Sequence, residues 1–146
     1  MRWRSVRKFR TESDAETIEL GRRLAGELPP RGVVLLIGNL GAGKTTLAKG
    51  IVEGRGAAYR DEVSSPTFTL IHEYGEGRVY HIDLYRLEEA REVESLGLDE
   101  LFERDALTLI EWGERFPALM PPGRTEIRIR ALDGDAREFE ITGGDA

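Results

Sequence analysis

A chain of 146 residues suffices for one compact domain with a single core, and it contains no apolar run of about 18 residues that would span a membrane. It has no cysteine, which excludes disulfides, thiolate metal sites and cysteine nucleophiles. The formal charge is −6, and the first ten residues hold five basic and no acidic side chains, so the rest carries −11 and repels nucleic acid at long range.

The basic start lacks the apolar segment of a secretory signal, and the expected compartment is the cytoplasm. Residues 6–9 read as a first strand or an extended arm, with solvated arginines on one face. Contact with RNA or an acidic partner is the alternative reading of the same charges. Ser13-Asp14-Ala15-Glu16 is a capping-box pattern. The helix it opens places Ile18, Leu24, Ala25 and Leu28 roughly along one side and stops at Pro29-Pro30-Arg31-Gly32.

Val33-Val34-Leu35-Leu36-Ile37 reads as a buried strand. Gly38-Asn39-Leu40-Gly41-Ala42-Gly43-Lys44-Thr45 follows it and fits the phosphate-binding pattern G-x-x-x-x-G-K-[ST]. Residues 46–52 can wind as a helix, weakened by Gly50 and broken by Gly54 and Gly56. By average residue usage the pattern arises by chance in roughly one chain of this length in two hundred. The flanking strand and helix supply the context it needs. Glycines let the backbone curl, its N–H groups then form a nest for phosphate oxygens, and the positive end of the new helix faces the same anion. Asn39, Leu40, Gly41, Ala42, Gly43, Lys44, Thr45 and Thr46 are the candidate nucleotide contacts. Lys44 can reach the outer phosphates, and the Thr45 hydroxyl can bind Mg²⁺.

Residues 63–74 become strand-like in their second half and end at Gly75-Glu76-Gly77. Residues 78–85 are strand-like again, so the two are expected to form an antiparallel hairpin. Period two sends Val79, His81 and Asp83 to one face and Tyr80, Ile82 and Leu84 to the other. Leu87, Ala90 and Val93 fit a helical stripe, and residues 99–103 a short helix. Residues 106–111 read as a second buried, parallel-type strand that ends on an acid. After a proline and glycine loop over 117–123, the tail alternates over 126–130 and 137–141 about a turn at Asp133-Gly134-Asp135, a second hairpin. No repeat or linker is visible, so residues 1–146 are expected to form one α/β domain of the P-loop NTPase type. Its sheet is expected to be mostly parallel at the centre, antiparallel at the edges and flanked by helices.

A nucleotide held this way needs Mg²⁺, and Mg²⁺ needs hard oxygen ligands beside the phosphates. The usual partner of the loop threonine is an acid at the end of a neighbouring apolar strand, which Glu111 fits. Glu, where many such proteins carry Asp, favours contact through water over direct ligation. Asp83 is the second candidate, an acid between Ile82 and Leu84 whose burial needs compensation. It can meet Mg²⁺ through water or orient the attacking water. Lys44, Asp83 and Glu111 are therefore the candidate catalytic residues. Trp112 packs over the site or finishes the core. His81 reads as a satisfied packing residue, and Arg86 as a salt-bridging residue with phosphate stabilisation as the alternative. Ser64-Ser65-Pro66-Thr67 reads equally as a segment that senses the terminal phosphate or as an ordinary proline turn.

Taken in order, the glycine loop, Ser65-Pro66-Thr67-Phe68-Thr69-Leu70, His81-Ile82-Asp83-Leu84-Tyr85-Arg86-Leu87 and Ile110-Glu111-Trp112-Gly113 resemble the TsaE (YjeE) family. The resemblance runs from about Ser13 to Glu114, and its second and third segments are more specific than the loop. It implies the ATPase component of bacterial tRNA threonylcarbamoyladenosine (t6A) biosynthesis, working with TsaB and TsaD. Those partners modify adenosine 37 of tRNA, while the ATP cycle of this component resets their complex. The family's loop threonine, His-x-Asp aspartate and Glu-Trp pair fall on Thr45, Asp83, Glu111 and Trp112. Likeness alone suggests Thr11 and Thr17 for the adenine end. The rival readings are a small-molecule kinase, a GTP switch and a nucleotide-bound adaptor without turnover. No long arginine-bearing lid is visible for the first. The guanine-reading Asn-Lys-x-Asp pattern is absent for the second, since Asn39 is the only asparagine.

Overall fold

The computed structural model describes residues 6–66 and 69–143. Among them, one sheet is built from β1 (Arg7–Thr11), β2 (Gly32–Ile37), β3 (Ile71–Tyr74), β4 (Val79–Asp83), β5 (Leu107–Glu111), β6 (Thr125–Ala131) and β7 (Arg137–Gly143). The spatial order is β1-β7-β6-β2-β5-β4-β3. Parallel pairing joins β6, β2, β5 and β4, and antiparallel pairing adds β7 and β1 on one side and β3 on the other. Both expected hairpins form, and so does the α/β sheet with its parallel centre.

The central strands read as unbroken apolar runs because both of their faces are covered. Val34, Leu36, Leu107 and Leu109 join the core beneath helices α1 (Asp14–Ala25) and α2 (Lys44–Gly54). Val33, Leu35 and Ile110 join a second core with Val93, Leu98 and Leu101 of α3 (Ala90–Glu94) and α4 (Leu98–Phe102). The alternation expected for β4 holds, with Val79 in the first core and Tyr80, Ile82 and Leu84 in the second. On β1 the arginines do not share one face: Lys8 stands opposite Glu140, which faces Arg128, and Arg10 opposite Glu138, which faces Arg130, while Arg7 lies over the Phe9 ring on the other face and pairs with Glu27. No helix among the described residues is long and apolar enough to cross a membrane.

Three other local readings change. Ser13 caps α1 by accepting from the Glu16 N–H at 3.1 Å, but the Glu16 carboxylate reaches back to the N–H of Glu12 rather than Ser13. The buried stripe of α1 is Thr17, Leu20, Gly21, Leu24 and Ala25, rotated from the expected one, with Ile18 only partly covered. The rotation follows from the crossing with α2. A β-carbon at Gly50 would lie 2.0 Å from the Ile18 carbonyl oxygen and 2.9 Å from the Gly21 Cα. Gly50 thus permits backbone-to-backbone contact, which its poor helix propensity alone did not suggest. Third, β3 begins at Ile71, later than the expected strand. Thr67 and Phe68 lie outside the described residues. Leu70 turns instead with φ +69°, donates its N–H to the Pro66 carbonyl at 2.6 Å and accepts from the Asp83 N–H at 2.9 Å.

Candidate functional site

β2 ends at the glycine loop, and α2 starts two residues earlier than expected, at Lys44. Gly41 and Gly43 have φ of +76° and +108°, values that side chains beyond glycine adopt only under strain. Gly43 stands at the helix N-cap with no side-chain cap. The first N–H groups of α2 have no intrahelical acceptor and sit at the positive end of the helix dipole.

Lys44 is 5 % exposed. Its Nζ donates to the Gly38 carbonyl at 2.7 Å and lies 3.5 Å from the centre of the Trp112 ring. Burial holds this ammonium below the ordinary lysine value, against the pull of Glu111, Glu114 and Asp83. Trp112 reaches this position because it leaves β5 in a left-handed conformation, φ +68°. Its outer neighbours are the Tyr85 ring, 5.2 Å between centres, and the Arg115 guanidinium at 5.2 Å.

Asp83 and Glu111 end adjacent parallel strands and stand opposite each other in register. Both are nearly fully buried, at 3 % and 4 % exposure. Buried carboxylates need donors, and each finds them. Asp83 accepts from the Ser65 hydroxyl at 3.1 Å and from the Tyr85 N–H at 2.9 Å. Glu111 Oε2 accepts from the Thr45 hydroxyl at 3.2 Å and pairs with His81 Nε2 at 2.6 Å. The two ends of the sequence pattern, 66 residues apart, therefore meet through one carboxylate oxygen.

These groups line a cleft of about 450 Å³. Leu40, Gly41, Gly43, Lys44, Thr45, Thr46, Asp83, Glu111, Trp112 and Ser65 all border it. Other candidate contacts are not among the residues that border it. Ala42 is buried in the core beneath α2, and Asn39 borders a separate hollow with Arg128 and Glu138. Thr11 and Thr17 are buried with their hydroxyls 2.7 Å apart, off the cleft wall. Arg86 is exposed and does not border the cleft.

Sequence reasoning missed Asp14, Tyr85, Asp135 and Arg137, which complete the lining. Arg137 comes from β7 and lies across the glycine loop, donating to the carbonyls of Gly134 at 3.0 Å, Ala136 at 2.8 Å and Gly41 at 3.4 Å. Its sequence context is an ordinary alternating strand, so no local signal marks it. The sequence marks His81 as a packing residue, and only the shared face of neighbouring strands points to its contact with Glu111.

Among the described residues no cluster of three or more His, Cys, Asp or Glu side chains can hold a metal by itself. The donor set still fits a hard cation shared with a ligand. Mg²⁺ is commonly held by one or two carboxylates together with phosphate oxygens and water. Thr45 gives its proton to Glu111, which leaves the hydroxyl oxygen lone pairs available to a cation.

With this geometry in place, comparison with known proteins gives a consistent result. Residues 11–139 match the family model described as "Threonylcarbamoyl adenosine biosynthesis protein TsaE". The tRNA threonylcarbamoyladenosine biosynthesis protein TsaE of Bacillus subtilis is 42 % identical, over 92 % of this chain and 84 % of the relative. The protein of the same name from Nostoc sp. is 44 % identical, over 86 % of this chain and 79 % of the relative. The crystal structure of Bacillus subtilis YdiB superposes with a TM-score of 0.78 at 33 % identity, covering 99 % of this chain and 90 % of YdiB. Matching the family's model over most of its length and its members at this level of identity, the chain belongs to the TsaE family of tRNA threonylcarbamoyladenosine biosynthesis proteins.

Proposed function

We propose that the protein is a slow Mg²⁺-dependent ATPase of the cytoplasm whose turnover depends on TsaB and TsaD and supports their threonylcarbamoylation of tRNA adenosine 37. It meets tRNA only through that complex. The observation that carries this reading is the convergence of Lys44, Thr45, Asp83 and Glu111 on one cleft, with the Thr45 hydroxyl bonded to Glu111.

The chain's own groups divide the work. The loop N–H groups and the α2 N-terminus receive the phosphates. Lys44 exchanges the Gly38 carbonyl for the outer phosphate oxygens and takes up charge there. Thr45 and Glu111 would hold Mg²⁺, and Asp83 would support it through water. Magnesium, when bound, offsets negative charge on the β- and γ-phosphates. Asp83, fixed by Ser65 and Tyr85, orients the water that attacks the γ-phosphate in line. Ser65 ties the chain just before Pro66 to that acid, which suits a segment that senses the terminal phosphate. Trp112 closes the site above the lysine.

Calorimetry with Mg·ATP, on the protein alone and with TsaB and TsaD, tests the reading. Saturable heat with ATP, phosphate release that rises when the partners are added, and ATP-sensitive pull-down of both partners are the expected results. Heat equal to buffer in every titration overturns it. Phosphate transfer to a metabolite assigns a kinase instead, tighter GTP than ATP binding a GTP switch, and binding with no hydrolysis even beside the partners an adaptor.

A further inference from the structure

His81 is fully buried, with 0 % exposure, at the centre of β4. A polar side chain in that position needs a structural reason, because desolvation costs free energy unless a hydrogen bond replaces water. Its single partner is the Glu111 carboxylate, 2.6 Å from Nε2, while Nδ1 is buried with no partner among the described residues. A buried orphan N–H costs more than a bare ring nitrogen, so the proton belongs on Nε2, where it is donated to Glu111.

The register explains why this histidine meets that acid. His81 stands opposite Leu109, and Glu111 is two residues further along β5 on the same face. His81 thus sits one row beneath Glu111 and approaches it from the core side. Oε2 of Glu111 now accepts two bonds, one from Thr45 above and one from His81 below. With Oε2 committed to both, Oε1 is left as the oxygen that serves the cleft. Glutamate is long and flexible, and one hydroxyl at 3.2 Å does not fix its torsions.

We infer that His81 is a positioning residue: its Nε2–H locks the Glu111 carboxylate in the orientation that presents one oxygen to the cleft and holds the other on Thr45. It touches no reacting atom and acts through Glu111. The inference rests on the ATPase reading for its kinetic consequence, but the lock itself is a property of the free protein.

The test uses three substitutions in the full chain. His81→Leu removes the donor, and His81→Gln keeps an N–H near the position of Nε2. The expected result is a fall in kcat of about tenfold for His81→Leu, with ATP affinity within about threefold of the parent and most of the loss restored in His81→Gln. In the Glu111→Gln background, adding His81→Leu costs nothing further, because the residue it positions is already altered. Unchanged kcat in a folded His81→Leu protein, or a His81→Gln protein no better than His81→Leu, overturns the inference. Imidazole ¹⁵N NMR separates this from a failure of the ATPase reading, and the chain has only two histidines to assign. A protonated Nε2, slow to exchange and shifted by Glu111→Gln, supports the lock even if no nucleotide is turned over. A proton on Nδ1, or an Nε2 signal indifferent to Glu111→Gln, refutes it. That measurement also decides the matter if His81→Leu does not fold.

Discussion

Glycine does two different jobs in neighbouring stretches of this chain. At the crossing of α1 and α2, Gly50 has ordinary helical dihedrals but no room, with the Ile18 carbonyl oxygen 2.0 Å from where a β-carbon would stand. At Gly41 the reverse holds: nothing lies within 4 Å, yet φ is +76°. One position is fixed by volume and the other by conformation. The difference separates a position buried against a second backbone from one that borders an open cleft.

Substitutions break the contrast in order of size. Gly50→Ala should destabilise the fold by about 3 kcal/mol or more, because the clash is with backbone and outweighs the ~1 kcal/mol that alanine gains by helix propensity. Chemical denaturation reads this directly, and a neutral result would mean that the helices separate without cost. Next comes Lys44→Ala, expected to lower ATP affinity at least about a hundredfold in calorimetry. Its melting temperature should move by less than about 3 °C, since the lost contact with Gly38 is offset by relief of a buried ammonium. Glu111→Gln and Asp83→Asn are each expected to cut turnover by about tenfold to a hundredfold while ATP affinity stays within about threefold. Unaltered hydrolysis removes the acid concerned from the mechanism.

The smaller effects sharpen the same comparison. Gly41→Ala meets no atom, so only the strain of a positive φ remains, about 1 kcal/mol by denaturation. Glu114 gives the smallest effect, and it depends on pH. Burial holds its carboxyl above the ordinary carboxylate value, against its own backbone N–H and the pull of Lys44. The native state therefore binds the proton more tightly than the unfolded chain, and stability falls as pH rises through that window. Below about pH 4 both states are protonated and the penalty vanishes. Glu114→Gln should raise the melting temperature by about 2 °C at pH 7 and leave it unchanged at pH 4. A gain that persists at pH 4 would show that charge is not the cause.

How far the sequence foretold this depends on the range of the interaction. The strand, glycine loop and helix around Lys44 were legible because each signal lies within a few neighbouring residues. Glu111 was legible too, since an acid that ends an apolar run stands out in any buried strand. The fit between Gly50 and Ile18 was not, because a helix-weakening glycine looks the same whether or not a second backbone rests on it. Leu70 read as strand, and only the bonds to Pro66 and Asp83 make it turn. Arg137 lay beyond reach for a plainer reason: its acceptor at Gly41 is 96 residues away, and alternating arginines are common in this chain.

The contact at Gly50 also has a mechanical consequence. Main chain touches main chain there, so no rotamer change can absorb a displacement between the two helices. One of them begins at Lys44 and the other at Asp14, and both beginnings border the same cleft. A movement of α2 as a body would therefore carry α1 with it, and Asp14 with α1. The cleft border at Thr46 and Asp14 is thus formed by the first turns of two helices that this crossing joins.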